Sequence, residues 1–206
     1  MTETDTETGT EPAPWVLPIA LDETTRPVLR PLPRRAAELL RDVEAPPRLV
    51  AHLRAVHDVA AELVDWAVKR GLAVDADAVL FGAATHDIGK ALHRGELSGP
   101  GSEHEVAGRE LLLERGVGPE LAKYAAKHST LSADSTLDEL LVSLADTVWK
   151  GKRRTDLEDL VVARLTEASG REVWDEFLEL DTVLTAISDG ADERLAYQMG
   201  FPVTAG

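Results

Sequence analysis

From Arg34 almost to the C-terminus, apolar residues recur every three or four positions and hardly anywhere in alternation. Within residues 48–70, Leu49, Leu53, Val56, Ala60, Leu63 and Ala67 fall on one stripe of a helix. A strand, with its period of two, cannot bury that set on one face. The punctuation agrees with helices. Pro46 and Pro47 stop a first helix over residues 34–44, and Gly71 closes the second. Residues 75–87 are small and apolar enough for a buried third helix. Residues 102–116 open on Ser102, have Glu105 at the capping-box spacing, and close at Gly116. Residues 118–129 carry a proline in their first turn. Amphipathic helices follow over 136–152 and 155–169, and residues 172–199 hold one or two more, with a break at Gly190. No stretch reads as a convincing strand. The expected fold class is all-α, a bundle-like single domain.

The 206 residues suffice for one domain with appendages. Residues 1–14 are mostly Thr, Glu, Gly and Pro and are expected to be disordered. Residues 15–33 are apolar but broken by four prolines, and are expected to lie extended against the domain. The organisation expected is therefore an N-terminal segment over 1–33, a helical domain over 34–170, and a helical extension over 171–206 packed on it. The N-terminus has neither a positive n-region nor an apolar h-region. No run approaches the roughly 18 apolar residues of a membrane span. The expectation is a soluble cytoplasmic protein without a membrane partner. A formal charge of −15 disfavours non-specific nucleic-acid binding, because it repels phosphate backbones. It leaves room for a small phosphorylated ligand, since local cations outweigh a distant field that salt screens within about 10 Å.

The absence of cysteine removes disulfides, thiolate metal sites and cysteine nucleophiles. A metal here must be held by His, Asp or Glu, a donor set that favours Mn, Fe, Zn or Mg over soft metals. All six histidines, at 52, 57, 86, 93, 104 and 128, fall in the middle of the chain. His86 and Asp87 end a buried apolar helix, where a carboxylate needs a cation or a metal as partner. His104 opens one helix and His128 closes the next. A tight turn makes those two helices antiparallel, so both histidines can face one point. Asp146, among Leu144, Ala145 and Val148, is a second carboxylate in an apolar helix.

These stretches, "HLRAV" (52–56), "ATHDIGK" (84–90), "EHEVAG" (103–108), "KHS" (127–129) and "SLADTVW" (143–149), resemble the HD-domain superfamily of metal-dependent phosphohydrolases. The resemblance spans roughly residues 48–165. It implies that His52, His86, Asp87 and Asp146 bind a first metal. Asp87 then bridges to a second metal held also by His104 and His128. Many members lack the two extra histidines; this chain has both and resembles the dinuclear subgroup. That subgroup includes dinucleoside polyphosphate hydrolases, cyclic-dinucleotide phosphodiesterases and di-iron oxygenases. The implied cofactors are two divalent ions, Mn or Fe foremost, with Mg, Co, Ni or Zn as alternatives. The implied reaction is hydrolysis of a phosphoester or phosphoanhydride of a small molecule, a nucleotide foremost, by a metal-activated water. A di-iron oxygenase and a non-catalytic ligand-binding regulator are the alternatives.

His52 and His57 both flank the apolar stripe, and periodicity barely separates them. The family pattern favours His52, which has Val56 at +4 and Ala60 at +8. Asp87 and Lys90 are the candidate catalytic residues. Lys90 lies on the face of His86 if the helix continues, and otherwise merely closes a turn. Lys90, Lys150 and Arg153 are candidate substrate-binding cations, the last two at four and seven residues after Asp146; the run 150–154 reads equally as a solvated helix end. His93 is either a proton donor to the leaving group or a loop residue. Trp66, Trp149 and Trp174 are candidates for base stacking or simply packing residues. The polar, glycine-rich stretch 93–105 is expected at the pocket mouth. The C-terminal helices are open to use as a lid, packing or a homodimer surface.

Overall fold

The structure is a computed structural model that describes residue 21, residues 26–127 and residues 130–203. The disorder expected for residues 1–14, most of the extended N-terminal stretch and His128 lie outside the described residues. Among the described residues there are nine α-helices and no strand. They are α1 (Arg34–Asp42), α2 (Pro47–Lys69), α3 (Ala76–Thr85), α4 (Glu103–Glu114), α5 (Pro119–Lys127), α6 (Leu137–Val148), α7 (Thr155–Ser169), α8 (Val173–Asp189) and α9 (Ala191–Met199). Two short 3₁₀ turns, Ile88–Ala91 and Arg94–Leu97, join α3 to α4.

The longest helix, α2, is the axis of the fold. Pro47 occupies its first turn, where a missing N–H costs nothing, and Gly71 at φ +74° turns the chain away at its end. It is buried around most of its circumference, as expected of a helix covered on all sides. The C-terminal half of α2 joins α3, α6, α7, α8 and α9 in one apolar cluster that includes Leu63, Leu141, Leu165 and Leu184. Its N-terminal half joins α1, α4 and α5 in another around Leu40, Leu53, Ile88 and Leu112. Residues 28–33 run without helix along α2. Leu29 and Leu32 are buried, and Arg30 is held by Asp58 through its amide (2.9 Å) and by Asp65 through its guanidinium (2.9 Å).

Among the differences from the sequence reading, two helix ends and one cap have a local reason. α3 stops at Thr85, not 87, because the winding tightens to 3₁₀ immediately afterwards. α6 stops at Val148, not 152, because the chain turns at 149–151 with Gly151 at φ +71°. Ser102 makes no side-chain capping bond to α4. The Glu96 carboxylate takes that place, accepting from the amides of Glu103 (3.1 Å) and His104 (3.4 Å). The capping box that does form lies at Thr136 and Glu139, at the start of α6. The break at Gly190 separates α8 from α9.

Candidate metal centre

Three segments converge near the N-terminal half of α2. His52 faces inward one turn below Val56. His86 ends α3, its amide still bonded to the Gly82 carbonyl (2.8 Å). At Asp87 the winding changes from α to 3₁₀, so its carboxylate turns toward the same side as its neighbour. This answers how adjacent residues serve one site, for which a continuous helix would set them about 100° apart. The close approach of the 3₁₀ turn to α4 depends on Gly89. A Cβ there would lie 2.6 Å from the Gly108 nitrogen and nearer still to the His104 carbonyl oxygen.

The resulting geometry is tight. His52 Nε2 lies 3.2 Å from Asp87 Oδ2 and 3.4 Å from Asp146 Oδ1. His86 Nε2 lies 3.7 Å and 3.6 Å from the same two oxygens. The other oxygen of Asp87 points elsewhere: Oδ1 is 3.0 Å from His104 Nε2. Lys90 reaches Asp87 Oδ2 at 2.5 Å, placed there by the 3₁₀ turn and not by a continued α-helix. His52, His86, Asp87 and His104 are all buried.

Burial pushes the His52 imidazole below its ordinary pKa, against the pull of Asp87 and Asp146. Burial acts the same way on His86 but is outweighed by those carboxylates and the Ala83 carbonyl, so His86 is raised. His104 is raised likewise, with Asp87 and Glu96 overcoming burial. Burial would raise both carboxyls; the imidazoles of His86, His104 and His52 hold Asp87 well below the usual carboxylate range, and those of His86 and His52 do so for Asp146.

The donor set fits a divalent ion. His52, His86 and Asp87 each offer a ligand atom within 4.8 Å of the others, a group that could hold a metal. Imidazole nitrogen with carboxylate oxygen is the chemistry that borderline ions take. The His86 Nδ1 lies 2.9 Å from the Ala83 carbonyl, which can only accept, so that nitrogen donates and Nε2 is the one turned toward the carboxylates of the centre, where a metal would take it. His57 is elsewhere on α2: it is buried, and it is pushed down to about 4 by burial and by Arg30 and Arg54.

Two clefts open on this cluster, and His52, Asp87, Lys90 and Lys150 line both. One, of about 290 Å³, is walled by Arg48, Leu49, Trp149, Leu195 and Gln198. The other, of about 270 Å³, is walled by His104, Ser143, Asp146, Thr147 and Arg154. Trp149 is buried, its ring and that of His52 meet edge to face at 5.0 Å, and the Lys150 ammonium lies over the indole at 5.6 Å. Arg153 is not among the described residues lining either cleft. Its guanidinium is committed to Glu158 (2.8 and 2.7 Å) and Asp181 (2.9 Å), because the turn after Val148 swings it off the face of Asp146. His93 lies against Glu103 (3.3 Å) in the connection before α4. Trp174 stacks on Phe177 at 5.3 Å on α8, away from both clefts, and Trp66 underlies Arg70 at 5.0 Å.

Sequence reasoning missed Arg48, Arg154 and Glu96. Arg48 is fixed by the carbonyls of Phe201 (2.8 Å) and Met199 (3.3 Å), contacts that no local pattern announces. Glu96 pairs with His104 Nδ1. Its only sequence signal is an acidic residue in a glycine-rich stretch next to a candidate ligand.

The HD domain family model matches residues 49–150. The chain is also similar to the uncharacterized protein MJ0778 of Methanocaldococcus jannaschii, at 30% identity over 129 residues, covering 55% of this chain and 73% of that protein. No solved structure gives a significant match. No helix among the described residues is long and apolar enough to cross a membrane. With the His-Asp pair at the end of α3, His52 and Asp146 beside it and the family model over the same residues, the chain belongs to the HD-domain family, the superfamily of metal-dependent phosphohydrolases.

Proposed function

We propose that this protein is a phosphohydrolase with a dinuclear centre, cleaving a phosphoester or phosphoanhydride of a small molecule, a nucleotide first among the candidates. The observation that carries the reading is the division of Asp87: Oδ2 faces His52 and His86 while Oδ1 faces His104. A carboxylate can bridge two ions through its two oxygens, and these two are already turned to different imidazoles. His52, His86, Asp87 and Asp146 would hold the first ion; Asp87 and His104, with His128, would hold the second. With no thiolate in the chain, Mn or Fe suits these nitrogen and oxygen donors. Ions bound there supply the charge that polarises a phosphoryl oxygen and activates a water.

The protein's own residues bind and orient the substrate. Lys90 and Lys150, on the rim shared by the two clefts, neutralise charge developing on the phosphoryl oxygens. Arg154, ion-paired with the exposed Asp156, lines the second cleft and suits a further phosphate oxygen. Leu49, Trp149, Leu195 and Gln198 offer the first cleft an apolar wall with one amide, suited to an organic group attached to the phosphate.

The test is phosphate release by the Mn²⁺-loaded protein over a panel of nucleotides, dinucleoside polyphosphates and sugar phosphates, beside Asp87→Ala. Turnover of one class by the wild type and none by the variant is expected. Oxygen consumption by the Fe-loaded protein without phosphate release would replace the hydrolase with an oxygenase.

A further inference from the structure

We infer that Glu96 is a positioning residue for the second metal site, acting through His104. The inference rests on the dinuclear reading and extends it to a residue outside the ligand set. Three observations on the connection between α3 and α4 point the same way.

The first is orientation. Glu96 pairs with His104 Nδ1, and the opposite ring nitrogen, Nε2, stands 3.0 Å from Asp87 Oδ1. A carboxylate only accepts, so Nδ1 donates its proton to Glu96, and Nε2, which faces Asp87 Oδ1, is the nitrogen that a metal would take in place of that contact. A ligating histidine held by a carboxylate at its far nitrogen has a fixed ring plane and a more basic donor atom. His86 is held comparably by the Ala83 carbonyl.

The second is attachment. The same carboxylate accepts from the amides of Glu103 (3.1 Å) and His104 (3.4 Å), so Glu96 fixes the start of α4 along with the ring. Its side chain is only 10% exposed although it belongs to an otherwise open connection.

The third is the space made for it. The Glu96 side chain passes over Gly101. A Cβ at that position would lie 2.5 Å from both Cγ and Oε1 of Glu96, closer than real side chains tolerate. Gly101 has no positive φ to explain it. The glycine admits the carboxylate, which accounts for part of the composition of residues 93–105.

These relations separate two perturbations. Glu96→Ala removes the carboxylate. Gly101→Ala keeps it and drives it out of place. The full chain, stripped of metal with chelator, is titrated with Mn²⁺ by equilibrium dialysis with elemental analysis, and folding is checked by circular dichroism. The wild type is expected to bind two ions. Both variants should keep the tighter site and lose 10- to 100-fold in affinity at the weaker one. Glu96→Gln, which retains an acceptor for the Nδ1 proton, should fall between. A purely structural role for Glu96 lowers the thermal midpoint of the metal-free chain but leaves that affinity unmoved. Wild-type affinity at the weaker site in both variants, or equal weakening of both sites, overturns the inference and leaves the dinuclear reading standing. Fewer than two ions on the wild type overturns the dinuclear reading itself, and the inference with it.

Discussion

Gly89 and Gly108 face each other where the 3₁₀ turn after Asp87 meets α4, and they should respond very unequally to a methyl group. A Cβ on Gly89 would lie 2.6 Å from the Gly108 nitrogen, 2.9 Å from its Cα, and closer to the His104 carbonyl oxygen. All three are backbone atoms, so no rotamer change relieves the contact. The turn and the helix must part by about 1 Å, which puts the cost near the top of the usual overpacking range, about 3 kcal/mol. A Cβ on Gly108 meets Gly89 at 3.1–3.4 Å and the Ala125 methyl at 3.4 Å. That mild crowding is offset by about 1 kcal/mol of helix propensity gained inside α4, so Gly108→Ala should stay within about 1 kcal/mol of the wild type. Urea denaturation of the metal-free proteins measures both. Because the displaced segments carry Asp87 and His104, Gly89→Ala should also weaken Mn²⁺ binding, and Gly108→Ala much less. A Gly89→Ala protein within 1 kcal/mol of the wild type would refute the claim that this contact is rigid.

Three further outcomes are expected. His57 is pushed down to about 4 in the folded chain against about 6.5 unfolded, so below 6.5 the unfolded state takes up the proton first and stability falls as the pH drops toward 4. The loss approaches about 3 kcal/mol, and His57→Leu should remove that part of the slope in urea titrations at pH 7 and pH 4.5; an unchanged slope would count against it. Arg153→Ala should cost about 1–3 kcal/mol by leaving the buried Glu158 without its bidentate partner. It should leave the KM for a phosphorylated substrate unmoved, whereas a rise in KM at unchanged stability would return Arg153 to substrate binding. Mn²⁺ at a hundred times its dissociation constant should stabilise the wild type by about 2.7 kcal/mol, a shift that chelator or Asp87→Ala abolishes in a thermal melt; a shift surviving in the variant would place the ion elsewhere.

The helical class was legible because the period of apolar residues is a local quantity, and the stops at Gly71, Gly116 and Gly190 are written in single residues. The relation of His86 to Asp87 was only half legible. The pair is visible in the sequence, whereas the change of winding that aims both at one point depends on the backbone contact between Gly89 and α4. Arg153 was placed on the face of Asp146 by counting helical turns, and the count fails because α6 ends before Lys150. Ser102 and Glu105 had capping spacing, yet a carboxylate eight positions before His104 took the role. Arg48 is fixed by carbonyls more than 150 residues away, and a relation at that separation leaves no trace in periodicity.

The last helix carries a consequence for how such a protein can change. Leu195 and Gln198 of α9 wall the first cleft, although the family model ends at residue 150. Arg48 ties the segment after α9 to the first turn of α2, through its guanidinium and through its amide, which donates to the Pro202 carbonyl at 3.1 Å. The donor atoms and this part of the cleft wall thus sit on stretches of chain far apart in sequence. Substitutions in α9 can reshape what the cleft admits while every ligand atom stays where it is. A lineage could therefore exchange one substrate for another by drift in a single terminal helix, and a designer could do the same by grafting one.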